Sequence, residues 1–222
     1  MRLEDFHNLH DGETALLVGN GGNLSLTPPE LFDLPSFGTN TIYRYEGWRP
    51  TYFTGVDSRL MREDSRAINE KYADIPKFLP TPNLDKWQGE NIYRFYHRPG
   101  LLWPLSNLDL WPSGILTEQG ITYKNIMHVA MQLAYFMGFK TMLMIGIEHK
   151  PGKGQRHFWG WDHASGNISD EVLMDCLEGY KILSQGMAER GVKILNISQD
   201  TYVPEEVLPR ADWSMYANQN ET

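Results

Sequence analysis

Short apolar runs alternate with amphipathic stretches along most of this chain. Thr14-Ala15-Leu16-Leu17-Val18-Gly19 is apolar at successive positions, which suits a strand buried on both faces of a parallel sheet. The turn-forming cluster Asn20-Gly21-Gly22-Asn23 follows it. Thr27-Pro28-Pro29-Glu30-Leu31-Phe32 reads as a helix start, with Thr27 as N-cap and proline in the first turn. Phe37–Tyr43 and Thr51–Val56 are the next predicted strands, and 58–72 is a predicted helix capped by Ser58. From Ile75 to Pro112 the pattern is broken by Pro76, Pro80, Pro82, Pro99, Pro104 and Pro112, with short strand candidates at Ile75–Leu79 and Ile92–Tyr96. Periodicity returns at Thr122. Ile126, Val129, Ala130, Leu133, Ala134 and Met137 form one helical stripe, and Gly138 ends it. Lys140–Ile147 is a buried strand, and a mixed Lys, Gly, His and Trp loop runs from Glu148 to Asn167. Ser169 then caps a helix whose face holds Leu173, Cys176, Leu177, Tyr180, Leu183 and Met187. Gly191 stops it before a last strand at Val192–Ile197.

This alternation predicts an α/β fold, a Rossmann-like, mostly parallel sheet with helices on both faces and a short lid loop. The organisation expected is one domain over 1–222, an irregular proline-rich insertion at 75–118 and a lid at 148–168. In such folds ligands lie beyond the strand C-termini, where strand order reverses. That rule selects the loops at 19–24, 38–41 and 148–166.

Composition narrows the partners. With 41% hydrophobic and 22% charged residues in 222, the chain can build a core of its own. A formal net charge of −8 argues against nucleic acid, whose non-specific binding needs cations. No apolar run is long enough for a transmembrane segment, and the single cysteine, Cys176, excludes an intramolecular disulfide. A soluble, cytoplasmic protein is expected, with a homo-oligomer left open. The charge is uneven. Residues 1–57 carry 3 basic and 8 acidic side chains, and 200–222 carry 1 and 5. Lys140, Lys150, Lys153 and Arg156 face only Glu148 across 140–157, a local basic segment suited to an anion.

The loops offer several chemistries. Gly19-Asn20-Gly21-Gly22-Asn23-Leu24 opens like a dinucleotide turn, but leucine stands where the third glycine belongs. Gly19, Gly21 and Gly22 allow close backbone approach, and Asn20 and Asn23 suit ribose or sugar hydroxyls. A tight turn that needs glycine for its angles explains the same residues. Asn40 sits in a second turn, Gly38-Thr39-Asn40. His149, His157 and His163 lack zinc-ligand spacing, so no metal site is expected from them. Histidine near neutral pH is a general-base candidate. Trp159 and Trp161 could stack on a base or anchor the loop. Cys176, on a buried helix face, reads as core.

Taken in order, the segments resemble a family. Val18–Leu24 is similar to the Asn-Gly-Pro-Ser-Leu turn of bacterial sialyltransferases of glycosyltransferase family 42, and of the related family that includes an archaeal 6-hydroxymethyl-dihydropterin pyrophosphokinase. Phe37–Tyr43, Ala134–Glu148, His157-Phe158, Gly191–Asn196 and Leu208–Asp212 look like its later blocks. The resemblance implies a Rossmann-like nucleotide-binding fold and a sialyltransferase-like activity that requires no cofactor or metal. It implies that Asn20 and Asn40 contact the nucleotide and that His157 is the base on an acceptor hydroxyl. The departures are Gly22-Asn23 in place of Pro-Ser, Glu148 closing the Gly-x-Asp block, and a short lid. Tyr123 is the candidate for a phosphate-binding tyrosine.

Three functions follow as expectations. The first is a glycosyltransferase using a nucleotide-sugar. His157 is its base, and the turn amides at 21–24 with Lys150, Lys153 and Arg156 hold the leaving phosphate. The second is a pterin pyrophosphokinase, which needs Mg2+ held by carboxylates, Asp57 first and Glu148 second. The third is a non-catalytic nucleotide-binding protein of the same fold.

Overall fold

The computed structural model describes residues 2–57, 62–81, 87, 89–96, 121, 124–149, 157–160 and 170–218. Seven strands form one sheet: β1 (Thr14–Val18), β2 (Ser36–Thr39), β3 (Tyr52–Thr54), β4 (Lys77–Thr81), β5 (Ile92–Tyr96), β6 (Thr141–Ile145) and β7 (Lys193–Asn196). Their spatial order is β5-β4-β3-β2-β1-β6-β7, and every neighbouring pair is parallel. Three α-helices are described: α1 (Ser65–Lys71), α2 (Ile126–Phe136) and α3 (Asp170–Ala188). The architecture is the Rossmann-like α/β sheet anticipated from strand–helix alternation.

The apolar runs explain the two-faced burial. Along β1, Ala15 and Leu17 join one core cluster with α2 and α3, while Leu16 and Val18 join the other with α1. A parallel strand covered on both sides has no solvated face, so successive residues are apolar. The α2 stripe holds: Val129, Ala130, Leu133, Ala134 and Met137 are fully buried. Gly138 follows with φ +93, the left-handed residue that ends the helix.

Several boundaries differ from the sequence reading, each for a local reason. β2 stops at Thr39 instead of running to Tyr43. Asn40 takes φ +44, a conformation asparagine tolerates, and turns the chain into a 3₁₀ segment at Asn40–Arg44. Thr27 caps no helix. It is buried, its Oγ1 accepts from the Gln199 N–H at 3.4 Å, and only a short 3₁₀ turn at Pro29–Leu31 follows. α1 is capped by Asp64 without a side-chain hydrogen bond, and Ser58 lies outside the described residues, as does Ser169. β4 begins at Lys77, because the Ile75 N–H still donates to the Tyr72 carbonyl that closes α1. Within 75–118 the two strand candidates are both real strands at one sheet edge, while 97–118 falls outside the described residues.

Candidate functional site

Strand order reverses at β1, whose neighbours are β2 on one side and β6 on the other. β1 and β6 run side by side, and their following turns meet backbone to backbone. The Gly19 N–H donates to the Ile145 carbonyl at 2.9 Å, and the Gly21 N–H to the Gly146 carbonyl at 2.8 Å. A Cβ at Gly19 would stand 2.4 Å from the Gly146 oxygen, and one at Gly21 2.8 Å from it. Gly146 itself has φ +66. The glycines are therefore needed for the contact between the β1 and β6 turns, an intramolecular version of the close approach expected for a ligand.

The asparagines are also largely engaged by protein. Asn20 Nδ2 donates to the Thr39 carbonyl at 2.9 Å and to Thr39 Oγ1 at 3.2 Å, and its Oδ1 accepts from Thr41 Oγ1 at 3.2 Å. Asn20 thus ties the β1 turn to the end of β2. Asn23 is buried. Its N–H donates to Glu148 Oε1 in a very short contact, and its Nδ2 donates to the Gln199 and Asp200 carbonyls. Asn23 Oδ1 is buried without a partner among the described residues. The Leu24 N–H donates to Gly21 O at 3.1 Å. Among the amides at 21–24, expected to face a phosphate, only the Gly22 N–H has no acceptor among the described residues. Asn40 differs from the other two asparagines. Its Oδ1 accepts from the Val56 N–H at 3.1 Å, and its Nδ2 has no acceptor among the described residues.

His157 reaches the same place from far along the chain. Its Nδ1 lies 3.3 Å from the Asn20 carbonyl oxygen, 137 residues away. That oxygen can only accept, so Nδ1 is the donor in this contact. The Phe158 N–H donates to the same carbonyl at 3.2 Å. Phe158 packs edge-on against Tyr45 with ring centroids 5.3 Å apart, which pins the segment to the second core cluster. His157 stacks flat on Trp159, with centroids 4.4 Å apart and planes 5° apart. Arg44 lies 5.5 Å from the Trp159 ring centroid and pairs with Asp64 at 3.3 Å.

Arg44 is a cation at the site that sequence reasoning missed. An extended Phe37–Tyr43 hid it; only the 3₁₀ turn after Asn40 carries it round to the loop at 157–160. The loop after β7 was missed as well. Thr201 Oγ1 donates to the Ile147 carbonyl at 2.8 Å and the Tyr202 N–H to the Glu148 carbonyl at 2.9 Å, so 199–202 buttresses the β6 turn. Both signals were polar residues in an unpatterned tail.

Beside this site, α2 and α3 enclose a buried imidazole–phenol cluster. His128 Nδ1 accepts from the Lys124 N–H at 3.2 Å and its Nε2 donates to the Cys176 carbonyl at 3.1 Å. His149 Nε2 lies 2.9 Å from Tyr180 Oη. Burial pushes His128 down to about 3 and His149 down to about 4, and raises Tyr180 well above an ordinary phenol. Both histidines are neutral at pH 7. Cys176 is buried, as its place in the helical stripe implied.

Of the remaining candidates, Asp57 is exposed beyond the end of β3, and Glu148 is 8% exposed and accepts from Asn23. No three His, Cys, Asp or Glu side chains gather as metal ligands among the described residues. Lys150, Lys153, Arg156, Tyr123 and His163 lie outside the described residues, as does most of the lid at 148–168. No described helix is long and apolar enough to cross a membrane.

No protein-family model matches the sequence, and a search of curated proteins finds no match. Two similar solved structures are enoyl-acyl carrier protein reductases. The NADH enzyme of Aquifex aeolicus VF5 is 11% identical, with 85% of this chain and 73% of that one covered at a TM-score of 0.30. The Bacillus cereus enzyme, solved with NADP+ and indole naphthyridinone, is 12% identical, with 94% and 80% covered at a TM-score of 0.31. At these values the α/β class rests on this chain's own strand order.

Proposed function

We propose that the protein transfers a sugar from a nucleotide-activated donor to an acceptor hydroxyl, with His157 as the general base. The observation that carries this reading is the His157 imidazole held at the Asn20 carbonyl, 3.3 Å away, at the reversal of strand order. Ligands on parallel sheets bind there. A base must also have its proton-accepting nitrogen defined by what the other nitrogen donates to. In the reaction Nε2 takes the acceptor hydroxyl's proton as that oxygen bonds the sugar carbon. The bond from that carbon to the donor phosphate breaks, and its electron pair leaves on the phosphate oxygen. The Asn40 amide, with its Nδ2 unpaired among the described residues, suits a nucleoside hydroxyl or base edge. Arg44 and the cations Lys150, Lys153 and Arg156 supply positive charge for the phosphate.

The test is calorimetry with CMP, CDP, UDP and GDP, followed by donor hydrolysis with the nucleotide that binds. Millimolar or tighter binding of one nucleotide is expected, with hydrolysis lost in His157→Ala and binding retained. No heat with any of the four at millimolar ligand sinks the reading. Hydrolysis unchanged in His157→Ala sinks the role of the base.

A further inference from the structure

We infer that Glu148 supplies the β1 turn with an anion of its own and so closes that turn to diphosphates. The inference rests on the nucleotide reading above and sharpens which ligands the site takes. In dinucleotide-binding sheets the pyrophosphate lies against the turn after the first strand. Free N–H groups at a helix start point at it, and a glycine lets the backbone come close. Here most of those provisions are already used by the protein, and the Gly22 N–H alone has no acceptor among the described residues. The Asn23 N–H donates to the Glu148 carboxylate, and the Gly21 N–H to the Gly146 carbonyl at 2.8 Å. The space a ligand would use over Gly21 is filled. A Cβ built there would meet the Gly146 oxygen at 2.8 Å and Glu148 Oε1 at 3.2 Å. No α-helix follows β1, only a 3₁₀ turn at Gly22–Leu26, so the macrodipole that helps hold a phosphate is missing.

Glu148 is 8% exposed, so its charge acts on a neighbouring phosphate with little screening by water. Its reach explains why the residue type matters. It enters from the β6 turn, crosses to the β1 turn and ends on a backbone donor, which makes it an internal stand-in for the anion such turns otherwise bind. A nucleotide at this site therefore lays its phosphate away from the β1 turn, towards Arg44, and a dinucleotide is rejected.

The test follows single amides by 15N–1H correlation spectra with inorganic pyrophosphate as the probe. In the wild type, the Gly21, Gly22 and Asn23 resonances should stay in place up to 10 mM pyrophosphate. In Glu148→Ala the Asn23 amide loses its acceptor, and pyrophosphate should shift it saturably, with affinity at least tenfold tighter than any wild-type effect. In Glu148→Gln an acceptor of the same length remains but the charge is gone, so pyrophosphate should shift the resonance more than in the wild type and less than in Glu148→Ala. Saturable shifts of those three amides in the wild type overturn the inference, and so does a Glu148→Ala protein whose Asn23 amide ignores pyrophosphate. Should Glu148→Ala not fold, the wild type still decides through NADH. Fluorescence titration should show no binding below 1 mM, and tighter binding overturns the inference. Failure of the mononucleotide panel would remove the nucleotide reading while leaving these amide shifts to stand or fall alone.

Discussion

Substituting Gly19 by alanine tests the contact on which the whole site is built. The new Cβ would lie 2.4 Å from the Gly146 oxygen and 3.1 Å from its carbon, both backbone atoms at the end of a central strand. Neither can swing aside as a flexible side chain would, so the β1 and β6 turns must part. Overpacking of this kind costs about 1–3 kcal/mol. Parting also weakens the Gly19-to-Ile145 and Gly21-to-Gly146 hydrogen bonds, 2.9 and 2.8 Å long, at about 1 kcal/mol each. The expected loss is about 3 kcal/mol, or about 6–12 °C in Tm for a domain of this size. Two companions separate the causes. Gly47 has φ +82 and nothing within 4 Å of its would-be Cβ, so Gly47→Ala reports backbone strain alone, about 1–2 kcal/mol. Gly146 combines φ +66 with a Cβ 2.8 Å from the Gly19 oxygen, so Gly146→Ala should be the worst of the three. Urea unfolding followed by tryptophan fluorescence ranks them. A Gly19→Ala protein no less stable than Gly47→Ala would refute the contact between the turns and, with it, the anchoring of His157 on Asn20.

Other measurements probe the surroundings. With His128 and His149 held down to about 3 and about 4 against 6.5 when unfolded, the unfolded chain binds up to two more protons between about pH 6.5 and 4. Stability then rises with pH across that window and falls on acidification by up to about 2.7 kcal/mol per pH unit. Urea midpoints from pH 4.5 to 7 should show this slope, roughly halved in His128→Gln; an unchanged slope in that variant refutes the assignment. Asn125→Ala removes the acceptor of the Met127 and His128 N–H groups, 2.8 and 3.1 Å away, and should cost about 1 kcal/mol by thermal melting. Lys77 is buried with Nζ 2.6 and 2.9 Å from the Tyr72 and Ile75 carbonyls, so Lys77→Met leaves both without that donor. A loss of about 2 kcal/mol is expected, and a more stable variant would show that burying the charge outweighs those bonds. Asn40→Gly keeps the φ +44 turn but deletes the amide, including the acceptor of the Val56 N–H at 3.1 Å, so nucleotide affinity should fall about tenfold alongside a stability loss of about 1 kcal/mol.

The sheet was readable because both its determinants are local. An apolar run such as Leu16-Leu17-Val18 cannot leave either face in water, and the α2 stripe at Val129, Ala130, Leu133 and Ala134 repeats with the helix period. Boundaries were less legible where one residue's backbone decides them, as at Asn40, whose left-handed φ ended β2 four residues before Tyr43.

The chain by itself determined the α/β class and the loops at the strand ends, and Asn20, Asn40 and His157 stood out there only through a family resemblance. Tertiary structure alone decided what those residues touch. Gly19 and Gly21 face Gly146, Asn20 ties β1 to β2, Glu148 occupies the Asn23 amide, and Arg44 meets Trp159. The physical reason is separation along the chain. Glu148 lies 125 residues from Asn23 and His157 137 from Asn20, so no window of sequence contains both partners. Period and turn chemistry act over a few residues, whereas a hydrogen bond between two strand ends exists only once the sheet has set their order.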